Sequence, residues 1–259
     1  MGVKATAVGA EGSKIMKKNV DIHSHILAGL DDGAQSQEDM LAMLAQAHED
    51  GTVALCLTPH YEPESFDYSM AEMQRRFLEL QAYATEHFEG LTLYLGNEMS
   101  FRDDCVDRLR GGDCATIASG RYVLVDFFGA SEVRQMRSVF DRLWCAGYSP
   151  IVAHVERYPF LWKKFHDVLA MSHDGVLLQV NASSLMTEDK SSPAKKMAEK
   201  LLSRGAVDVI ASDAHDTEAR LPRLSACRAY IEERYGEAYA EMLFYTNPKN
   251  ILENKHIQV

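Results

Sequence analysis

Asp21-Ile22-His23-Ser24-His25 is the run from which the fold and the chemistry of this chain are read. Residues alternate faces along a β-strand, so His23 and His25 share a face while Ile22 and Ser24 take the other. Two imidazoles one strand step apart can grip a single divalent ion. Downstream, Leu30-Asp31-Asp32-Gly33 has turn character, and Asp32 can bring a carboxylate back toward the same place. A His-x-His pair also occurs on polar strand faces that hold nothing. The weight therefore rests on what later strands carry at their ends.

Those later strands are legible. Ser36 can cap a helix with Met40, Leu44 and Ala47 on one stripe and Gly51 after it. Val53–Leu57 reads as a strand ending at Thr58-Pro59-His60. A helix with Met70, Met73, Phe77 and Leu80 follows, and Leu91–Leu95 is a strand ending at Gly96-Asn97-Glu98. Tyr122–Val125 ends at Asp126, and a helix through Met136, Phe140 and Leu143 stops at Gly147. Ile151–Ala153 runs into His154-Val155-Glu156-Arg157, and helical sequence covers about residues 160–171. Val176–Val180 ends at Asn181. A helix from Pro193 leads to Val207–Ala211, which ends at Ser212-Asp213-Ala214-His215, and Asn247-Pro248 opens a last short helix. Seven strands alternating with helices predict parallel pairing through right-handed crossovers, with the active site at the carboxyl ends of the strands. Of the ten histidines, His23, His25, His60, His154 and His215 fall at those ends, whereas His48, His87, His166, His173 and His256 fall on helices, near their ends or in the tail.

Composition bounds the function. A chain of 259 residues with 46% hydrophobic and 25% charged residues suits one large α/β domain or two small ones. A formal net charge of −11 argues against nucleic acid or an anionic membrane as partner, and an anionic substrate would need a local positive centre such as bound cations and a few arginines. Cys56, Cys105, Cys114, Cys145 and Cys227 form no C-x-x-C pair, and the odd count fits a reduced, cytoplasmic protein. No cysteine is followed six residues on by arginine, which excludes a cysteine-nucleophile phosphatase motif. No segment approaches membrane-spanning length, so membrane insertion is not expected. Residues 1–19 are expected to be a flexible leader, with Met16 an alternative start, ahead of a single domain over residues 20–259. No repeat or Pro/Gly/Ser-rich linker suggests a second domain.

The series D-I-H-S-H-x-L-x-G-x-D-D-G, T-P-H, G-x-E, H-x-E-R and S-D-A-H, in this order, resembles the polymerase-and-histidinol-phosphatase (PHP) superfamily. Within it, the chain is most similar to the bacterial metal-dependent tyrosine phosphatases encoded with capsule and exopolysaccharide genes. The resemblance runs from Asp21 to the C-terminus. It implies a distorted (β/α)7 TIM-like barrel and three divalent metal ions, usually manganese, with iron or zinc as alternatives. Carried over residue by residue, His23, His25, Glu98 and Asp213 would hold the first ion. Glu98 would bridge to a second, held also by Asp126 and His154, and Asp32, His60 and His215 would hold the third. Arg157 and Arg220 resemble the family's phosphate-gripping arginines, a guanidinium fork matching two phosphate oxygens. Two positions depart from the pattern: the family's strand-four ligand is commonly Glu where this chain has Asp126, and its H-P-E-R reads His154-Val155-Glu156-Arg157.

The implied chemistry is hydrolysis of a phosphate monoester, with clustered cations offsetting the dianion's charge and lowering the pKa of a bound water so that hydroxide attacks. A ligand set of N and O donors suits Mn, Fe or Zn. The expected partner is a phosphotyrosine protein, for instance the tail of a bacterial tyrosine kinase in capsule synthesis, and the sequence leaves room for a homo-oligomer. Two rival readings stand beside this one: a small-molecule phosphatase of the histidinol-phosphate type, and a regulatory metal-binding scaffold weakened by the Asp126 change. Tyr61, Phe66, Tyr68, Phe127, Phe128 and Tyr158 all follow strand ends and could line the path of an aromatic substrate, but aromatics there are often core edges, and the sequence singles out none of them.

Overall fold

In the computed structural model, which describes residues 17–257, the chain begins in strand β1 (Asn19–Asp21). Of the segment expected as a leader, residues 1–16 lie outside the described residues, and Asn19, fully buried, already belongs to the sheet. Helix α1 (Gln37–Glu49) follows, with Ser36 and Asp39 capping its start reciprocally. Then come β2 (Thr52–Leu57), β3 (His60–Tyr61), α2 (Met70–His87), β4 (Thr92–Leu95), β5 (Glu98–Ser100) and α3 (Cys105–Gly111). The next elements are β6 (Tyr122–Asp126), α4 (Val133–Cys145), β7 (Ser149–Val152) and α5 (Phe165–His173). After them come β8 (Leu177–Asn181), α6 (Ala182–Met186), α7 (Pro193–Leu202) and β9 (Val209–Ala211). The chain finishes in α8 (Ser225–Tyr235), α9 (Glu237–Glu241), a π-helical turn over Met242–Thr246, and α10 (Asn247–Leu252).

The nine strands among the described residues are the seven expected ones, two of them broken. Thr58-Pro59 interrupts the second, because proline has no N–H for the ladder, and Gly96-Asn97 interrupts the third. Every pairing is parallel, in the orders β1-β2-β4 and β3-β5-β6-β7-β8-β9. The ends of this series meet: Ser24 bridges Ala214, the His25 N–H donates to the Ala214 carbonyl at 2.8 Å, and the Asp213 N–H donates to the His23 carbonyl at 2.9 Å. The sheet thus curls into a distorted seven-unit barrel with helices outside.

Strand alternation sorts the side chains. Val123 and Val125 join the outer core with Phe140 and Leu143 of α4, while Tyr122 and Leu124 join a second cluster with Ile22, Ile151, Leu177 and Val209. The Tyr122–Leu124 face ends at Asp126, and the face carrying Leu177 continues to Gln179 and Asn181. Each such face is apolar at its start and polar at its carboxyl end. That polarity gradient positions the site.

Candidate metal centre

The strand pairing of β1 stops at Asp21, so His23 and His25 lie just beyond it. They are held there by hydrogen bonds on both sides, the Thr58 N–H donating to the Ser24 carbonyl at 2.8 Å and the His25 N–H reaching across the barrel seam to Ala214. The Asp31-Asp32-Gly33 turn folds against this stretch, the Ala34 N–H donating to the His25 carbonyl at 3.0 Å. A Cβ at Gly33 would sit 2.0 Å from that carbonyl oxygen, so only glycine permits the approach.

Around this stretch the described residues offer three groups of possible ligands, each with its donor atoms within 4.8 Å of one another: His23, His25, Glu98 and Asp213; Glu98, Asp126 and His154; and His25, Asp32, His60 and His215. All nine residues expected from the sequence fall in them, and His25 belongs to two groups rather than one. Glu98 is central. Its Oε2 lies 3.2 Å from His23 Nε2, 3.3 Å from His25 Nε2 and 3.0 Å from His60 Nδ1, while its Oε1 lies 2.8 Å from His154 Nε2. Asp32 Oδ1 stands 3.4 Å from His60 Nε2 and 3.3 Å from His215 Nε2. All are buried except Asp32, whose side chain is 56% exposed, and the half-buried His60, so the third group is the open side of the site.

Several supporting contacts have no counterpart in the sequence reading. Asp31 Oδ2 lies 2.7 Å from His25 Nδ1, and Gln179 Oε1 lies 3.0 Å from His23 Nδ1. The same Gln179 oxygen accepts the His154 backbone N–H, while its amide nitrogen donates to Asn181 Oδ1, which fixes the amide's orientation. Asn181 Nδ2 donates to Asp213 Oδ2 at 2.6 Å. Gln179 and Asn181 stand two apart on β8, and that period is the only sequence signal they leave. Glu156, buried, accepts from the Ser184 hydroxyl at 2.6 Å and the Asn181 N–H at 3.2 Å, so the Val155–Arg157 turn is pinned without the proline common in the family pattern.

His154 (φ 30°) and Asp213 (φ 53°) both adopt left-handed backbone, unusual for residues other than glycine, and both are candidate ligands. Strain of about 1–3 kcal/mol at such a position persists where the surroundings over-determine the geometry.

The electrostatics follow from crowding. Burial would raise the Glu98 carboxyl, but the imidazoles of His23, His60 and His154 outweigh it and hold it well below the ordinary range. The imidazoles of His215 and His60, 3.3 and 3.4 Å from its Oδ1, depress Asp32. Burial pulls His60 down, yet the charge of Glu98 and the hydrogen bond to Asp32 carry it up to about 10. Asp126 is raised, first by burial and then by the neighbouring Glu98 charge.

Whether the set fits metal ions can be judged from its unsatisfied atoms. Glu98 Oε2, Asp213 Oδ1, His60 Nδ1, His154 Nδ1 and His215 Nε2 are buried and make no hydrogen bond. Five of the nine such side-chain atoms among the described residues belong to these ligands, a concentration that cations bound between them would relieve. The donors are imidazole and carboxylate, without sulfur, which suits Mn, Fe or Zn. Arg157 Nη1 and Arg220 Nη2 both donate to Asp213 Oδ2, at 3.0 and 2.7 Å, and leave Oδ1 to the cluster. About a third of each arginine side chain is exposed, leaving further N–H donors for an incoming anion.

Comparison with known proteins agrees in fold and family. The model of the family described as capsular polysaccharide synthesis, CpsB/CapC, matches residues 19–253. The tyrosine-protein phosphatase CpsB of Streptococcus pneumoniae is 29% identical over 242 residues, covering 92% of this chain and all of that protein. The tyrosine-protein phosphatase YwqE of Bacillus subtilis is 24% identical over 238 residues, covering 92% and 93%. A crystal structure from a study of YwqE and CpsB, described as unique metal-dependent tyrosine phosphatases, superposes with a TM-score of 0.85 at 23% identity, covering 92% of this chain and 96% of that one.

Proposed function

Because this chain belongs to the CpsB/CapC family of capsular polysaccharide synthesis, we propose that it is a metal-dependent protein tyrosine phosphatase acting within that process. The observation that supports this most is the junction at Asp213: one oxygen faces the His23–His25–Glu98 group, and the other holds two partly exposed arginines. In this reading the site holds three divalent ions, preferably Mn²⁺. His23, His25, Glu98 and Asp213 would hold one, Glu98, Asp126 and His154 another, and Asp32, His60 and His215 the third, with His25 beside that last group. Bound there, the ions would offset the charge of a phosphate dianion and ease deprotonation of water.

The chain's own residues do the rest. Arg157 and Arg220 bind non-bridging phosphate oxygens, and their shared anchor on Asp213 sets the angle at which they do so. Asp31 and Gln179 keep the Nδ1 protons of His25 and His23, so both Nε2 lone pairs face inward. Asn181 fixes the Asp213 carboxylate, and Glu156 fixes the turn that presents Arg157. The partner in this reading is a phosphotyrosine protein, such as the tail of a bacterial tyrosine kinase, met in the cytoplasm, where the five unpaired cysteines would remain reduced. No helix among the described residues is long and apolar enough to cross a membrane.

The test is phosphate release by purified, Mn²⁺-loaded protein from phosphotyrosine peptides beside histidinol phosphate and phosphoserine peptides. Preferential release from phosphotyrosine is expected. Preference for histidinol phosphate would move the assignment to a small-molecule phosphatase. Metal-replete, folded protein that releases nothing would leave only the scaffold reading.

A further inference from the structure

The six aromatic residues that follow strand ends are not equivalent in the fold. Tyr61, Phe127 and Tyr158 are buried in the outer core. Tyr68 is committed to structure, its hydroxyl donating to the His60 carbonyl at 2.5 Å. Phe66 is half-buried and lies parallel to the His60 ring, 5.7 Å between centroids. Phe128 alone of the six is open to solvent, at 51% exposure. The other exposed large apolar residues among those described are Leu78, Trp144, Trp162 and Met186, and none has a ring against a candidate ligand.

Phe128 does. Its ring lies 5.4 Å from the His154 ring, and the Arg157 guanidinium carbon stands 5.3 Å from its centroid. The ring is also held in place. The Phe128 N–H donates to Asp126 Oδ1 at 2.9 Å, and Tyr158 packs against the ring nearly edge-on, at 5.3 Å and 75°. Because the Tyr158 hydroxyl, shared between the Ala153 carbonyl at 2.8 Å and Asp126 Oδ1 at 3.1 Å, also touches Asp126, ring and candidate ligand share one anchor. An exposed phenyl contributes little to folding, since its area is not removed from water. A rigid exposed ring next to a phosphate-binding guanidinium is suited to contact with a substrate.

We propose that Phe128 is a specificity-determining residue, the surface against which the aryl ring of a phosphate monoester packs while Arg157 and Arg220 hold the phosphoryl group. This rests on the phosphatase reading above and deepens it. An aryl ester carries its ring one oxygen away from phosphorus, so a phosphate on Arg157 places that ring within reach of Phe128. A serine or glycerol phosphate has nothing to stack there. Aromatic pairs in offset or edge-on contact discriminate by about three- to tenfold.

The test compares benzylphosphonate, whose ring stands one CH2 from phosphorus in place of the ester oxygen and which cannot be hydrolysed as an ester, with inorganic phosphate, which has no ring. Binding of each to Mn²⁺-loaded protein is measured by titration calorimetry for wild type, Phe128→Ala, Phe128→Trp and Phe66→Ala. The proposal expects Phe128→Ala to weaken benzylphosphonate about three- to tenfold while phosphate stays within about twofold, and Phe128→Trp to restore the preference. Circular dichroism establishes that each variant is folded, and Phe128→Leu, which keeps an apolar side chain without a ring, replaces Phe128→Ala if that one is not. Equal weakening of both ligands, no weakening, or a selective loss in Phe66→Ala instead would overturn it. Hydrolysis is measured separately. Wild type that binds both ligands as expected but hydrolyses no phosphotyrosine would remove the phosphatase reading and leave the aromatic contact standing.

Discussion

The Nε2 atoms of His23 and His25 lie 3.2 Å apart, although each ring has its Nδ1 hydrogen-bonded to an acceptor that can only receive a proton, Gln179 Oε1 and Asp31 Oδ2 respectively. Two neutral imidazoles so oriented point lone pairs at each other, with the lone pairs of Glu98 and Asp213 beside them. Mutual repulsion of this kind is relieved by a shared cation or by protonation; Asp31, which against burial raises His25 together with Asp213 and Glu98, steadies either, and a cation satisfies both rings at once.

Removal of metal should therefore cost both activity and stability. Protein stripped with chelator is expected to lose phosphatase turnover and melt at lower temperature, and Mn²⁺ should restore both. Full turnover after confirmed metal removal would contradict the assignment of the cluster.

The adjacent aspartates should separate by role. Asp31→Ala frees the His25 ring and leaves the His60 and Gly33 backbone N–H groups without their acceptor, so metal affinity should fall about 10- to 100-fold, the usual cost of losing a ligand's supporting partner. Asp32→Ala should cost one open-side ion only. Metal analysis per protein distinguishes a general weakening from the loss of a single equivalent.

Asp126 carries the departure from the family pattern, and it does two things at once. Its Oδ1 accepts from the Phe128 N–H and the Tyr158 hydroxyl, and its carboxylate groups with Glu98 and His154. Asp126→Asn can keep the two hydrogen bonds through its carbonyl oxygen and loses the negative charge. Fold should survive while occupancy and turnover fall together. Asp126→Glu should stay active if the pocket absorbs a methylene, at an overpacking cost of about 1–3 kcal/mol. Full occupancy with wild-type turnover in Asp126→Asn would make it a structural residue.

No cysteine should be needed. Cys56, Cys105, Cys114 and Cys227 are buried, and burial pushes these four thiols up, away from the thiolate that a nucleophile requires. Replacing all five by Ser or Ala should leave turnover of the folded protein within about tenfold, apart from stability losses at the buried sites. Abolition of activity by a single folded Cys→Ala variant would be incompatible with this.

Away from the site, Asp208 should make stability depend on pH. Burial raises its carboxyl from 3.8 to about 6, with the Leu178 N–H as its one opposing contact. A raised carboxyl contributes stability that is fully present below the unfolded value and is lost as pH rises through about 6. Asp208→Asn keeps an acceptor for Leu178, so its advantage over wild type should grow by roughly 1–2 kcal/mol between about pH 5 and about pH 8. Melting curves at the two pH values would show it, and a pH-independent difference would refute it.

Much of this protein is readable in one dimension, because a parallel α/β barrel writes its plan locally. Each strand is a short apolar run, each crossover a helix-period stretch, and every candidate ligand but Asp32, which sits in a turn, lies in or close behind a strand. The parallel pairing and the histidines and carboxylates at the strand ends are legible for that reason, whereas the closed barrel, the grouping of the ligands and the two arginines are implied by the family resemblance. What needed the tertiary structure are the contacts between residues far apart in sequence. Gln179 reaches His23 across 156 positions, and Asn181 reaches Asp213 across 32, with no mark beyond a two-residue spacing on one strand. Asp31 and Asp32 are alike as letters, and only the turn packed on the His25 carbonyl buries one against His25 and opens the other toward His60 and His215. The same holds for the aromatics, since burial of Phe127 and exposure of Phe128 follow from which face of the chain the outer core covers. Local pattern sets which elements form and where their ends lie, whereas ring orientation, shared protons and exposure depend on the register with which the strands close into a barrel.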